Sequence, residues 1–165
     1  MKKPIKIIVE GVDGCGKTTI ALLLSKKFKI PIIKMPNMKQ YFEEGNTEAY
    51  SRLFNETIVQ FKDSSFILDR GFPSSLVYSQ VYNRPVDISY IDKLEKDLGA
   101  KVVILTALPE VFLKRKPFDD IISSEKRIEI NEEYLNVAEE RGYPAINTSN
   151  LTPEQVLKEV LQVLK

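Results

Sequence analysis

The sequence contains no histidine, and cysteine occurs once, at Cys15. Without histidine, the chain has no Ser-His-Asp triad, no histidine general base and no histidine-rich metal site. A single cysteine cannot form an internal disulfide bond. Any chemistry must therefore depend on carboxylates, lysine, arginine, backbone amides or a bound ion.

An excess of charge of one sign is also missing, because 24 Lys and Arg residues face 23 Asp and Glu residues, a net charge of +1. Non-specific binding of a polynucleotide would therefore need a local basic patch, and we do not expect that partner. No apolar run approaches the roughly 20 residues of a membrane span, and the apolar stretch after Pro4 is too short for a signal peptide. We expect a soluble, cytoplasmic protein without a membrane partner.

The length of 165 residues, 43% of them hydrophobic, suits one compact domain over residues 1–165. Residue patterning predicts strands at 5–9, 31–34, 66–68, 102–105 and 143–147, and helices at 16–28, 47–62, 74–82, 87–98, 109–115, 125–140 and from 153 to the C-terminus. This alternation predicts a mostly parallel sheet covered on both faces, with ligands at the carboxyl ends of its strands. Lys116–Ser124 lacks clean periodicity, and we interpret it as a mobile lid.

A phosphate-binding motif lies between the first strand and the first helix. Gly11-Val12-Asp13-Gly14-Cys15-Gly16-Lys17-Thr18 has two glycines in the required spacing, followed by lysine and a hydroxyl residue. Such a loop turns its backbone N–H groups and the positive helix N-terminus towards phosphates, while Lys17 reaches the β- and γ-phosphates and Thr18 offers a hydroxyl to Mg²⁺. The motif predicts binding of a nucleotide triphosphate.

A second candidate pair, Asp69-Arg70, ends the third strand. A carboxylate there can reach the metal, and a guanidinium can bind a phosphate through two hydrogen bonds. If the third strand neighbours the first, both side chains lie beside the phosphate loop.

With these motifs the sequence resembles the thymidylate kinase family of nucleoside monophosphate kinases. Residues 10–19, EGVDGCGKTT, resemble the opening motif of that family, and residues 69–78, DRGFPSSLVY, resemble its second motif. Arg127-Ile128-Glu129 resembles a third. The resemblance implies a P-loop NTPase three-layer sandwich with a five-stranded parallel sheet of order 2-3-1-4-5 and a helical lid at approximately residues 115–126.

The resemblance also implies the roles of individual residues. ATP would contact Asp13, Gly14, Cys15, Gly16, Lys17, Thr18, Thr19 and Arg127, and Mg²⁺ would lie at Thr18 and Asp69. The acceptor would contact Asp13, Lys34, Phe54, Arg70, Ser74 and Tyr78, with Phe54 stacked on its base and Arg70 and Lys34 on its phosphate. The catalytic set would be Lys17, Asp69, Arg70, Arg115 and Lys116. A homodimer is implied by the family as well.

Two departures from the family pattern concern specificity and the lid. Ile58 occupies the position where the family has an arginine that reads thymine, so the accepted base is left open. Gly14 occupies the position where some members carry a catalytic arginine, and members without it supply cations from the lid. Arg115, Lys116 and Arg127 are the candidates for that role.

We therefore predict a deoxynucleoside monophosphate kinase that transfers the γ-phosphoryl group of ATP to a 5′-phosphate, with dTMP or a related pyrimidine nucleotide as acceptor. A kinase acting on a hydroxyl, of a deoxynucleoside or of a modified base or end in a polynucleotide, is the alternative. It would need a carboxylate base, for which Glu10, Asp13 and Asp69 are available. A nucleotide-binding regulatory ATPase is the third possibility.

Overall fold

The structure is a computed structural model that describes residues 3–36, 45–119 and 121–165. Its five strands form one parallel sheet in the order β2-β3-β1-β4-β5, which confirms the predicted topology. The elements follow one another as β1 (Lys6–Gly11), α1 (Lys17–Phe28), β2 (Ile32–Lys34), α2 (Thr47–Val59), β3 (Phe66–Asp69), α3 (Pro73–Val81), α4 (Ile88–Leu98), β4 (Lys101–Thr106), α5 (Pro109–Arg115), α6 (Ser124–Arg141), β5 (Ala145–Asn147) and α7 (Pro153–Val163).

The central strands are buried along almost their whole length. Ile8, Val9, Val103 and Ile104 are completely inaccessible to solvent, as apolar runs in a parallel sheet covered by helices on both faces should be. In register, Val9 of β1 lies beside Asp69 of β3, and Gly11 lies beside Leu105 of β4. The carboxyl ends of β1 and β3 are therefore level, and this brings the two sequence motifs to one edge of the sheet.

Two helix boundaries predicted from capping residues are confirmed. The Asp87 carboxylate accepts a hydrogen bond from Tyr90 N, and the helix it opens ends at Gly99 in a left-handed conformation. Before α7, Thr152 and Gln155 form the expected capping box.

Two segments differ from the sequence prediction. Helix α2 ends at Val59, three residues early. Its apolar stripe is only partly buried, because Ile58 is in the core but Leu53 is 60% exposed, and the polar Asn55 is 3% exposed. The predicted helical lid is helical only at its two ends, since residues 116–119 and 121–123 have no regular secondary structure. We keep the name lid segment for residues 116–123. Within the described ranges, no helix has both the length and the apolar character needed to cross a membrane.

Candidate active site

The phosphate loop, residues Gly11–Thr18, connects the buried strand β1 to the first turn of α1. Gly16 is the residue before the helix and has φ 102°, a left-handed value that glycine adopts at little cost. Lys17 is only 7% exposed, although its ammonium group faces the cavity beside the loop. Cys15 is fully buried and its N–H donates to Val12 O, so its contact with ATP stays a prediction. Thr19 is exposed in the first turn of α1.

Helix α5 packs directly against the loop at Gly14. A Cβ atom added to Gly14 would lie 2.5 Å from the carbonyl oxygen of Phe112, and Gly14 has φ 92°. Both facts exclude any larger side chain at this position without a shift of the backbone. The close approach of α5 is thus a physical reason why this chain has glycine where some thymidylate kinases have arginine.

Thr18 and Asp69 come together at the start of α1. The Thr18 hydroxyl donates a hydrogen bond of 2.8 Å to Asp69 Oδ2 across 51 residues of sequence. A hydroxyl and a carboxylate are oxygen ligands of the kind Mg²⁺ prefers, and Mg²⁺ in kinases takes its remaining ligands from phosphates and water. Among the described residues, no three His, Cys, Asp or Glu side chains are grouped closely enough to hold a metal ion by themselves.

Asp13 carries the only carboxylate in the loop and contacts three cations. Its Oδ1 lies 2.7 Å from Arg70 Nη2 and 3.4 Å from Lys17 Nζ, and its Oδ2 lies 3.2 Å from Lys116 Nζ. Burial alone would raise the pKa of Asp13, but the positive charges of Arg70, Lys17 and Lys116 outweigh it and hold that pKa well below its usual range. Asp13 therefore stays ionised and neutralises part of the positive charge around the loop.

Arg70 has a strained backbone, and its side chain is held by several neighbouring residues. Its φ of 71° is unusual for a residue with a side chain, and its backbone N–H donates to Val9 O. Besides the bond to Asp13, its Nη1 donates to the Tyr134 hydroxyl at 3.1 Å. The guanidinium also lies 5.7 Å from the centre of the Tyr78 ring. These contacts fix a cation at the end of β3, where it lines the cavity.

A buried carboxylate beneath Arg70 supports this arrangement. Glu10 is completely inaccessible and accepts hydrogen bonds from Gly71 N at 2.7 Å, Ser74 N at 3.2 Å and the Tyr134 hydroxyl at 2.8 Å. The Ser74 hydroxyl lies 2.9 Å from Glu10 Oε2. Burial raises the pKa of Glu10 despite the nearby Arg70 and these donors. Glu10 therefore organises the start of α3 and is not among the residues that line the cavity.

The three cations that the sequence assigned to the lid have different positions. Lys116 lines the cavity and pairs with Asp13. Arg115 bonds to Thr148, at 3.0 Å to Oγ1 and 2.9 Å to the carbonyl, and lies 3.4 Å from Gly14 O. Arg127, buried in α6, donates to the carbonyls of Lys116 at 2.6 Å and Asp13 at 3.0 Å. Arg115 and Arg127 thus bind backbone around the loop, and their contact with ATP stays a prediction.

A cavity of about 750 Å³ opens beside the loop, between α2, α3, α4 and the lid segment. The predicted acceptor residues Asp13, Lys34, Arg70, Ser74 and Tyr78 all line it. Phe54 does not; it is partly buried and packs against the hydrophobic core. A different face of α2 lines the cavity. Its residues are Thr47, Glu48, Ser51, Arg52 and Asn55. The predicted stacking of Phe54 on a base therefore has no support in this geometry.

Sequence reasoning missed several residues of the site. Tyr134 joins Glu10 to Arg70 from 124 and 64 residues away, and no local pattern marks it. The Thr148 hydroxyl donates to Cys15 O at 2.8 Å and so supports the loop from the end of β5. Asn55 was hidden within an apparently apolar face of α2. No sequence signal singles it out, because Glu56 and Thr57 are also polar residues between Phe54 and Ile58.

The sheet order, the glycine loop and the placement of Lys17, Thr18 and Asp69 define the class of P-loop kinases. The family model described as an AAA domain, AAA_28, matches residues 6–155, and the chain belongs to that family. The resemblance to thymidylate kinases is confirmed by curated relatives. The probable thymidylate kinase of Methanocaldococcus jannaschii is 28% identical over 96% of this chain and 95% of its own length.

Other relatives show how widely this architecture is used. The shikimate kinase of Enterococcus faecalis is 26% identical over 96% of this chain and 98% of its own length. The YorR protein of Bacillus subtilis, solved in complex with phosphorylated GDP, has a TM-score of 0.72 and 28% identity, covering 96% of this chain and 94% of that one. A deoxyadenosine kinase of M. mycoides shares the fold at 20% identity and a TM-score of 0.72, over 97% of this chain and 98% of that one. The fold and these relatives identify the chain as an ATP-dependent kinase.

Proposed function

We propose that this kinase transfers the γ-phosphoryl group of ATP to the 5′-phosphate of a deoxynucleoside monophosphate, with dTMP or a related pyrimidine nucleotide as acceptor. The observation that carries the proposal is the position of Arg70, a cation fixed at the end of β3 in the same cavity as Lys17. Lys34 lines that cavity as well. A doubly charged phosphate is the acceptor that such a pair of cations suits.

The donor half of the site is the phosphate loop. Its backbone N–H groups, the N-terminus of α1 and Lys17 would hold the ATP phosphates. Thr18 and Asp69 would hold Mg²⁺, which supplies charge neutralisation on the phosphates when it is bound. Catalysis in this arrangement comes from positioning and from electrostatic stabilisation of the transferred group.

The state of the carboxylates favours a phosphate acceptor over a hydroxyl. Transfer to a hydroxyl needs a base to take its proton, whereas a phosphate oxygen is already ionised near neutral pH. Asp13 is a weak base because three cations depress its pKa, and Asp69 accepts the Thr18 hydroxyl. Glu10 is buried among its own donors. The candidate bases beside the loop are therefore all engaged.

Transfer to a hydroxyl is the second candidate, and the shikimate kinase relative is the specific observation in its favour. The hydroxyl would belong to a deoxynucleoside or to a modified base or end of a polynucleotide. A regulatory ATPase, which hydrolyses ATP without an acceptor, is a third and weaker candidate.

One experiment separates these functions. The protein is incubated with Mg-ATP and, in parallel, with nucleosides, mononucleotides and a DNA oligomer, and the products are identified by mass. The proposal expects a nucleoside diphosphate from a deoxynucleoside monophosphate. A monophosphate formed from a nucleoside, or a phosphorylated oligomer, would support the hydroxyl reaction, and ADP formed without any acceptor product would support the ATPase.

Two variants test the assignment of donor and acceptor sides. Lys17→Ala should abolish turnover while the melting temperature stays close to that of the wild type, because Lys17 serves the donor phosphates. Arg70→Ala should lower kcat/KM for the acceptor by about a hundredfold or more, since charge-assisted bonds to phosphate contribute about 1.5–3 kcal/mol each. An unchanged kcat/KM for the acceptor in Arg70→Ala would contradict the acceptor assignment.

A homodimer belongs to this proposal as well, on the family resemblance. Light scattering tests it directly, since the chain has a mass of 18.9 kDa and a dimer would have twice that mass.

A further inference from the structure

Asn55 occupies the inner end of the cavity on the face of α2 that points into it. Residues 51 and 55 are one helical turn apart and both line the cavity, but Ser51 is half-buried whereas Asn55 is 3% exposed. Three residues further on, Ile58 belongs to the hydrophobic core. Asn55 is therefore the last polar side chain on this face before the core begins.

The side-chain amide of Asn55 is unsatisfied by the protein. Within residues 3–36, 45–119 and 121–165, it makes no hydrogen bond, although it has one acceptor oxygen and two donor hydrogens. Amides as deeply buried as that of Asn55 are almost always paired with protein, water or a ligand. The neighbouring Ser51 hydroxyl, by contrast, bonds to the Ser75 hydroxyl at 2.8 Å. An amide that lines a cavity without a hydrogen-bond partner in the protein is typical of a group that binds a ligand.

We propose that Asn55 reads the base of the acceptor through two hydrogen bonds, an inference that rests on the proposed function. Of the cavity-lining residues one turn before it on α2, Ser51 is neutral and bonds to Ser75, and the charge of Arg52 is paired with Asp87. The unpaired excess of positive charge lies elsewhere, where Arg70, Lys17 and Lys116 gather around Asp13. A phosphate offers only hydrogen-bond acceptors and negative charge, so it suits the end of the cavity where the cations lie. A base edge offers a donor beside an acceptor, which the amide complements with both of its groups.

For dTMP, the matching edge is N3–H beside O4: N3–H donates to Asn55 Oδ1, and O4 accepts from Asn55 Nδ2. This contact would take over the recognition that an arginine supplies in the family, at the position where this chain has Ile58 and buries it. Asn55 thus determines base specificity and takes no part in phosphoryl transfer.

Equilibrium binding tests the inference independently of transfer. The dissociation constants of dTMP and of its N3-methyl analogue are measured by calorimetry in the presence of a non-hydrolysable ATP analogue. For the wild type, the analogue should bind about tenfold to a hundredfold more weakly, since a bidentate amide-base pair contributes discrimination of this size. In Asn55→Ala, dTMP should bind as weakly as the analogue, because the pair is gone and the methyl group has room.

Two further variants control for folding and for changes on the same helix. Asn55→Leu removes both hydrogen bonds while it fills the space, so it should lose the preference for dTMP without a loss of melting temperature. Glu56→Gln changes the next residue, which is exposed and does not line the cavity, and should keep the wild-type ratio of dissociation constants.

The outcomes separate the two proposals. Equal binding of dTMP and its analogue by the wild type, or a preference that survives in Asn55→Ala and Asn55→Leu, would overturn the role of Asn55. The same holds if dTMP does not bind. If the preference depends on Asn55 but no mononucleotide is phosphorylated, the base contact stands and the proposed phosphate acceptor is wrong.

Discussion

Asp13 shows how single charges are balanced in this site. Its carboxylate holds Arg70, Lys17 and Lys116 together from three different parts of the chain. Without it, three cations would repel one another around the phosphate loop. Its low pKa means that the folded state binds a proton on Asp13 more weakly than the unfolded chain does.

The pH dependence of stability should reveal this balance. Because the folded pKa is depressed, the stabilisation by Asp13 is present above the unfolded value near 3.8 and is lost as pH falls towards the folded pKa. Asp13→Asn should lower the free energy of unfolding by on the order of 2 kcal/mol at pH 7 and by somewhat less at pH 3, where the unfolded chain is mostly protonated at this position but the folded carboxylate is still ionised. Urea unfolding at both pH values measures this difference.

Asp97→Asn is the matched control, because Asp97 pairs with Lys93 on an exposed face of α4. Exposed pairs contribute little, so this variant should behave like the wild type at both pH values. A loss for Asp13→Asn that does not shrink in acid would show that its origin is not the carboxylate charge.

At the scale of elements, the close packing of α5 against the phosphate loop decides which residues the loop can contain. Gly14→Ala places a methyl group 2.5 Å from Phe112 O and also strains a backbone with φ 92°. It should lower the free energy of unfolding by about 2–3 kcal/mol and abolish binding of an ATP analogue, because the loop must shift to make room. Chemical denaturation and calorimetry measure the two effects.

Gly142→Ala separates backbone strain from the clash. Gly142 ends α6 with φ 68°, and an added Cβ atom would meet nothing within 4 Å. This variant should lose about 1 kcal/mol of stability and keep its affinity for the ATP analogue. If Gly14→Ala behaves in the same way, the contact with α5 does not restrict the loop.

At the scale of the whole molecule, the lid segment connects the two halves of the site. Lys116, its first residue, reaches Asp13, and Arg127 at the start of α6 binds the Lys116 carbonyl. We expect Mg-ATP together with the acceptor to slow backbone hydrogen exchange in residues 116–123 by about tenfold or more, and either ligand alone to do so less. Mass spectrometry of the exchanged peptides measures this protection.

The C-terminal helix α7 supplies an internal control for that experiment, because it lies outside the cavity. Its exchange should respond far less than that of the lid segment. Equal protection of both regions would indicate a general stabilisation of the fold and would contradict closure of the lid over the two ligands.

The sequence by itself determined the phosphate loop, the order of strands and helices and most of their ends. These features are local: a glycine loop lies within eight residues, and caps such as Asp87 and Thr152 act on residues three positions away. The parallel sheet follows from the alternation of strands and helices, because its connections must be right-handed and helical. A single sequence carries all of this information without reference to distant residues.

Only the tertiary structure decided which side chains meet. Tyr134 joins Glu10 across 124 residues, and α2 turns Asn55 rather than Phe54 towards the cavity. The apolar stripe of α2 fits Phe54 in the core, where it lies, whereas the family resemblance placed it on the acceptor base. The side of a helix that faces a cavity is decided by the elements packed against its other sides, and these come from elsewhere in the chain. The chemistry of the phosphate loop can therefore be predicted from the sequence, whereas the selection of the acceptor depends on side-chain contacts that exist only after folding.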